Sequence, residues 1–293
     1  MNKTVDATHV VHYQDGAKIS YLTVGSGPAV IVIPGALSMA AGYAAFASAL
    51  AEHFTVHIIE RRGRGLSSPQ GEDYSIRKEC EDVLALQQQT GASLLVGHSF
   101  GGLVALEVAR NNPAFTRVAV YEPGVSIDGS IPMGWMPGYE KKLAEKRYLD
   151  AFVEFSLGVG PDRARNTPPW LMKLLLPLFI NSHERELMLG LLSENLREHR
   201  EVARLDSSYT HYREIPANVL LMYGGKSGSA WVDLSMERLA EVLPRSEAKE
   251  FPKLNHFGID KQGPQEVAGA VCAYFLRQQP GTNRPPARGG PTF

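Results

Sequence analysis

Residues 93–110 read SLLVGHSFGGLVALEVAR, and how they are read decides the fold. Ser93 to Val96 form a short apolar run, as expected of a strand buried on both faces. Apolar residues then recur at Leu103, Leu106 and Ala109, the spacing of one helical face. Between strand and helix stands Gly97-His98-Ser99-Phe100-Gly101, a G-x-S-x-G turn. Its flanking glycines leave room for a bend that forces the serine into a strained backbone conformation and lifts its hydroxyl out of the sheet. The bend also sets Ser99 at the amino end of the helix, where unpaired amides and the helix dipole favour negative charge. Ser99 is therefore the candidate nucleophile, and the Phe100 amide the first candidate donor to an oxyanion.

Outward from this stretch, AVIVI (29–33), TVHIIE (55–60), RVAVY (117–121), NVLLMY (218–223) and EAKEFP (247–252) supply further strands. Two alternating runs between His9 and Val24 flank Asp15-Gly16, a pair suited to the positive φ angles of a tight hairpin. Helical stretches separate the first central strands. The expected fold class is α/β, with a mostly parallel eight-stranded sheet and helices on both faces. From 123 to 215 the strand pattern stops, and helical, aromatic and methionine-rich sequence takes over, broken at Pro137, Pro161, Pro168 and Pro177. A helical cap over the carboxyl edge of the sheet would bury Trp135, Met136, Trp170, Met172, Met188 and Leu192 and leave a pocket beneath. The expected organisation is a core of 1–122 and 216–277, a cap of 123–215, and a tail, 278–293, too rich in proline and glycine to order.

Composition excludes several classes of function. At 293 residues and 44% hydrophobic content, one large α/β domain or two smaller ones can bury a substantial core. Thirty basic residues against thirty-one acidic ones leave a net charge of −1, so no global field is present to hold nucleic acid or an anionic membrane. The start, MNKTVDATHVVHYQDG, has no apolar run behind a basic segment, which points to the cytoplasm rather than secretion. Cys80 and Cys272 lack C-x-x-C spacing and read as inert buried thiols rather than metal ligands. WLMKLLLPLFI, from Trp170, is too short to span a bilayer. GGKSG, 224–228, looks like a phosphate loop, but a Walker motif needs glycine where Leu220 stands.

With its elbow between strand and helix and its late helical insertion, the chain resembles the α/β-hydrolase superfamily from His9 to about Leu276. The resemblance implies a second oxyanion donor in VIPGALSMAAGY, after the first central strand. Pro34-Gly35 stands where the family often has His-Gly, so the matching donor is the Ala36 amide, with Leu37 next. ERRGRGLS, 60–67, is similar to the family's D-x-R-G-x-G-x-S stretch and by that likeness is structural, with Arg62 tying neighbouring turns. His98 is expected to pack against and orient the elbow, and it joins the candidates for the substrate site.

The family carries its histidine in a loop before the last helix; here that loop is KLNHFGID, which makes His256 the expected base. His53, His57, His183, His199 and His211 have no such positional argument. Most relatives place an aspartate three residues beyond the glycine that Gly224 matches, but this chain has Ser227 there. Some members carry the acid one strand earlier, where RVAVYEPG places Glu122. A charge at the end of an apolar run is costly without a partner, and imidazolium would be that partner. Asp233, in GSAWVDLS, is the competing acid. Lys226 and Ser227 would then be remnants of a vacated acid site, facing solvent.

The resemblance implies a serine hydrolase that cleaves an ester or lactone through an acyl-enzyme, without cofactor or metal. Ser99 attacks, His256 shuttles the proton, Glu122 orients His256, and the Phe100 and Ala36 amides hold the oxyanion. Leu37, His98, Trp135, Met136, Trp170, Met188, Trp231 and Phe257 are the candidates for contacting a largely apolar substrate. The expected partner is that small molecule, with neither nucleic acid nor membrane, for a monomer or homodimer. Carbon–carbon bond hydrolysis, cofactor-free perhydrolysis and cyanohydrin cleavage use the same triad and stay open, as does a non-catalytic ligand receptor. A dehalogenase or epoxide hydrolase would need aspartate in place of Ser99.

Overall fold

The computed structural model describes residues 6–13 and 16–277. Asp15 of the expected hairpin turn and the whole tail, 278–293, lie outside the described residues; Gly16 has a φ of +83°. In chain order the strands are β1 (Asp6–His12), β2 (Lys18–Gly25), β3 (Ala29–Ile33), β4 (Thr55–Ile59), β5 (Leu94–His98), β6 (Arg117–Tyr121), β7 (Asn218–Gly224) and β8 (Ser246–Phe251). The α-helices are α1 (Ala44–Leu50), α2 (Ile76–Thr90), α3 (Phe100–Ala109), α4 (Met136–Ala144), α5 (Tyr148–Val159), α6 (Pro169–Phe179), α7 (Ser182–Gly190), α8 (Leu192–Arg204), α9 (Ala230–Val242) and α10 (Pro264–Leu276).

The strands form one eight-stranded sheet in the order β1-β2-β4-β3-β5-β6-β7-β8. β2 pairs antiparallel with β1 and β4. Every pair from β4 through β3 to β8 is parallel. Because successive strand residues point to opposite faces, the apolar runs feed two cores. Ile31, Ile33, Leu95, Val118, Val120, Val219 and Leu221 pack under α2, α3 and α9. Val30, Val32, Leu94, Val96, Ala119, Leu220 and Met222 pack under α1 and α10. Each such side chain, fully buried, contributes about 1.5–3 kcal/mol of transfer free energy. α2 stops at Gly91, whose φ of +68° closes the last turn without the penalty a Cβ would bring.

Five helices, α4 to α8, lie between β6 and β7 and form the helical insertion of an α/β-hydrolase fold. A third cluster, with Leu37, Trp135, Tyr139, Phe152, Leu176, Leu192 and Leu196 buried, holds them together and joins them to the loop after β3. The prolines divide this region differently from the expected breaks. Pro161 and Pro168 fall between helices, but Pro137 lies in the first turn of α4 and Pro177 inside α6. A first-turn proline gives up only an amide that has no intrahelical acceptor. Pro177 stands two residues before the end of α6 and gives up the bond its amide would make to the Lys173 carbonyl. No helix among the described residues is long and apolar enough to cross a membrane.

Candidate active site

The parallel strands deliver three strained residues to one edge of the sheet. Leu37 lies beyond β3 with φ +55°, Ser99 follows β5 with φ +53°, and Glu122 follows β6 with φ +41°. Such angles are uncommon for non-glycine residues and persist where the surroundings over-determine them. At Ser99 the cause is tight packing. A Cβ at Gly97 would sit 2.4 Å from the Gly101 carbonyl oxygen, and one at Gly101 would sit 2.2 Å from that of Ile33. Only glycines let β5, the elbow and the loop after β3 approach so closely.

Ser99 and its neighbours leave donors free. The Ser99 carbonyl accepts the amides of Gly102, Leu103 and Gly124, whereas the Phe100 and Ala36 amides have no hydrogen-bond partner among the described residues. The Gly35 backbone lies against Ser99, since a Cβ built there would be 3.2 Å from Ser99 Cβ. The Ser99 hydroxyl, half-buried, likewise has no hydrogen bond among the described residues.

Glu122 is wholly buried. Its Oε2 lies 2.7 Å from His256 Nδ1, and its Oε1 accepts the Gly224 amide at 2.8 Å and the Ser227 hydroxyl. A buried carboxylate needs such partners, because desolvation without them costs several kcal/mol. With Nδ1 committed to Glu122, Nε2 of His256 is the nitrogen left for Ser99, and the ring is 28% exposed.

Ser227 differs from expectation. It is buried rather than solvent-facing and donates to the glutamate, while Lys226 is exposed. Asp233 is exposed on α9, and no hydrogen bond joins it to His256.

Both ring nitrogens of His98 are engaged. Gly35 N–H donates to the Tyr43 hydroxyl at 2.9 Å, that hydroxyl meets His98 Nδ1 at 2.5 Å, and His98 Nε2 meets the His256 carbonyl at 2.8 Å. The carbonyl can only accept, so Nε2 carries the proton, Nδ1 accepts from Tyr43, and the ring is neutral. Burial, with His256 nearby, holds it well below the usual histidine range. One chain of bonds thus joins the loop after β3, the elbow and the His256 loop.

The Trp135 ring packs on Tyr139, Phe155 and His199 inside the helical insertion, with its indole N–H on the Pro132 carbonyl. Trp170 is 67% exposed on α6. Met136 and Met188 are half-buried against the cap cluster, which also contains Leu37. Trp231 and Phe257 flank the His256 ring, with centroids at 5.9 and 5.6 Å. Cys80 and Cys272 are free and half-buried, and burial pushes both thiols up. A depression of about 400 Å³ between β8 and α10, lined in part by Glu247, Lys249, Glu266 and Arg277, holds none of these residues.

The ERRGRGLS loop carries more than turn-tying. Arg62 makes a bidentate pair with Asp82 on α2, at 2.8 Å through both nitrogens. Arg61 and Arg64, which no spacing pattern singled out, are buried against the loop after β3 and against Glu198 of α8.

A family model described as the alpha/beta hydrolase family matches residues 30–270. Among curated proteins, N-formylmaleamate deformylase of Pseudomonas putida is 30% identical over 156 residues, covering 52% of this chain and 55% of that protein. The pimeloyl-[acyl-carrier protein] methyl ester esterase of Proteus mirabilis is 30% identical over 174 residues, covering 54% of this chain and 63% of that protein. The chain therefore spans between half and two thirds of these relatives' lengths. Among solved structures, an alpha/beta hydrolase from Sphaerobacter thermophilus superposes with a TM-score of 0.77 at 28% identity, covering 91% of this chain and all of that one.

Proposed function

The chain belongs to the alpha/beta hydrolase family, and on that premise we propose that it is a serine hydrolase cleaving a carboxylic ester or lactone of a small, largely apolar substrate through an acyl-enzyme. The observation that carries this reading is the buried Glu122 carboxylate bonded to His256 Nδ1 at 2.7 Å. It supplies the charge missing at Ser227 and selects the tautomer in which Nε2 is free to accept a proton.

In the first half-reaction Ser99 Oγ attacks the carbonyl carbon while its proton passes to His256 Nε2. Glu122 stabilises the imidazolium. The oxyanion rests on the Phe100 and Ala36 amides, each such donor contributing roughly 3–4 kcal/mol in the transition state. His256 returns the proton to the departing alkoxide, which leaves as an alcohol. In the second half-reaction water takes the place of the alcohol, gives a proton to His256 and attacks the acyl carbon; the bond to Ser99 Oγ then breaks, His256 returns the proton to that oxygen, and the carboxylic acid leaves. Apo geometry often has the serine–histidine bond unmade until substrate arrives, which agrees with the free Ser99 hydroxyl.

Leu37, Trp231 and Phe257, beside the loop after β3 and the His256 ring, are the apolar groups that would meet the substrate, with Met136 and Met188 from the cap. The methyl ester esterase among the relatives supports ester chemistry. The test is turnover of chromogenic esters and lactones of graded acyl length by wild type and Ser99→Ala. Ser99-dependent hydrolysis of at least one member supports the reading; a folded protein inert to the whole panel counts against it.

A further inference from the structure

We propose that Arg61 is a positioning residue for the oxyanion hole and that Glu198, on the helical insertion, makes this positioning depend on a seated cap. The proposal rests on the serine-hydrolase reading above. Arg61 is wholly buried. Its Nη1 donates to the Gly35 carbonyl at 3.1 Å. That carbonyl and the Ala36 N–H are opposite ends of one planar peptide, which is trans. A donor held on the oxygen therefore sets the plane of the group and, with it, the direction of the Ala36 N–H. Rotating this peptide would take the amide away from the oxyanion and leave Nη1 with only the Pro34 carbonyl at 3.5 Å, so the hydrogen bond resists the flip. The peptide before it is pinned as well, by Gly35 N–H on the Tyr43 hydroxyl. The guanidinium also lies 4.5 Å over the ring of Phe100, whose amide is the other proposed donor.

The cap enters through Glu198. Its Oε1 is ion-paired with Arg61 Nη2 at 2.8 Å and accepts from Arg64 Nη2 at 2.7 Å. Arg64 in turn donates through Nε to the Ser38 carbonyl at 3.0 Å. One carboxylate on α8 thus anchors the two arginines that grip the loop after β3 at Gly35 and Ser38, on either side of the strained Leu37. Glu79 of α2 holds Arg61 from the core side through Nη2 and Nε at 3.0 and 3.2 Å, so without Glu198 the guanidinium keeps this fork and loses the charge that draws Nη2 toward the insertion. Burial alone would raise the Glu198 carboxyl, yet Arg61 and Arg64 hold it below the usual range, so the anchor is charged. A buried ion cluster of this kind contributes little to net stability, since desolvation offsets attraction. Its consequence is geometric: the oxyanion donors are aligned when α8 is in place.

The test uses the full chain with p-nitrophenyl butyrate as substrate and an alkyl trifluoromethyl ketone, which forms a tetrahedral adduct with a nucleophilic serine, as the oxyanion probe. The variants are Arg61→Met, Arg61→Lys and Glu198→Gln, each checked for folding by circular dichroism. We expect Arg61→Met to lose about 10²–10³ in kcat and to bind the ketone more weakly by a similar factor, with KM held within about threefold. Arg61→Lys keeps the charge but not the planar fork, so it recovers only part of the loss. Glu198→Gln, at a wholly buried side chain, shows the same pattern at about tenfold. If Arg61→Met fails to fold, the other two variants carry the same prediction. Folded variants that keep wild-type kcat and ketone affinity, or change KM alone, overturn the positioning role. A wild type that neither turns over the ester nor binds the ketone overturns the serine-hydrolase reading itself, and the two failures are thereby distinguished.

Discussion

Replacing Glu122 with glutamine removes one charge and changes almost no volume, so its effect can be worked out atom by atom. In the wild type, Oε1 accepts from the Gly224 amide and the Ser227 hydroxyl, and Oε2 faces His256 Nδ1. A glutamine has one acceptor and one donor end. Placing its NH₂ against the Gly224 and Ser227 donors would leave buried donors facing each other, at a cost of about 1–3 kcal/mol or more. The oxygen therefore stays at the Oε1 position, and the NH₂ meets His256 Nδ1. A donor there requires Nδ1 to be bare, which moves the ring proton to Nε2, the nitrogen that must accept from Ser99. The expected loss is that of a triad held in the wrong tautomer, about 10⁴ in kcat, or about 5.5 kcal/mol of transition-state stabilisation. KM should stay within a few-fold, because the carboxylate is buried away from substrate. Steady-state kinetics on p-nitrophenyl butyrate, run beside Asp233→Asn on the exposed face of α9, measures both numbers. Glu122→Gln with kcat within about tenfold of wild type, or the large loss appearing in Asp233→Asn, would refute the assignment.

Two further predictions follow from the same geometry. Ser227→Ala deletes one of the two donors on Glu122 Oε1; hydrogen bonds to charged groups are worth about 1.5–3 kcal/mol, so kcat should fall by about 10- to 100-fold at constant KM, with Ser227→Thr close to wild type in the same assay. Burial, with His9 nearby, pushes His57 on β4 down to about 4, and His98 and His199 are also lowered. The unfolded chain, with ordinary histidines, binds more protons than the folded one below the usual histidine value. The histidine contribution therefore falls as pH drops from about 6.5 through about 4, while Asp82 and Asp260, which burial raises to about 6, act in the opposite sense. Urea midpoints across the window should fall less steeply as pH drops in His57→Gln than in wild type.

The sheet was legible because strands buried on both faces leave uninterrupted apolar runs, and AVIVI and RVAVY coincide with β3 and β6 residue for residue. The elbow was legible because its glycines are required by backbone contacts under 2.5 Å, not by side-chain preference. Glu122 and His256 stood out as a carboxylate ending an apolar strand and a histidine before the last helix, and the structure sets them in hydrogen-bond contact.

Ser227 was misread because only the missing charge was considered. A hydroxyl three residues after Gly224 can still donate, and that was the available signal. The Arg61–Glu198 pair spans 137 residues of sequence and joins two elements whose packing no local pattern reports. The tryptophans of the cap show the same limit. Trp135 and Trp170 look alike in sequence, yet one is at the centre of an aromatic cluster and the other lies on the surface, since helix–helix packing in the insertion decides which faces inward.

The central claim is that Ser99 is the single activated nucleophile of this chain, and it is tested most directly by mass spectrometry after exposure to an organophosphonate. The account predicts one covalent adduct per chain, mapped to the peptide that contains Ser99, absent from Ser99→Ala and formed much more slowly in Glu122→Gln. A folded wild type that takes up no adduct, or an adduct that persists in Ser99→Ala, would contradict it.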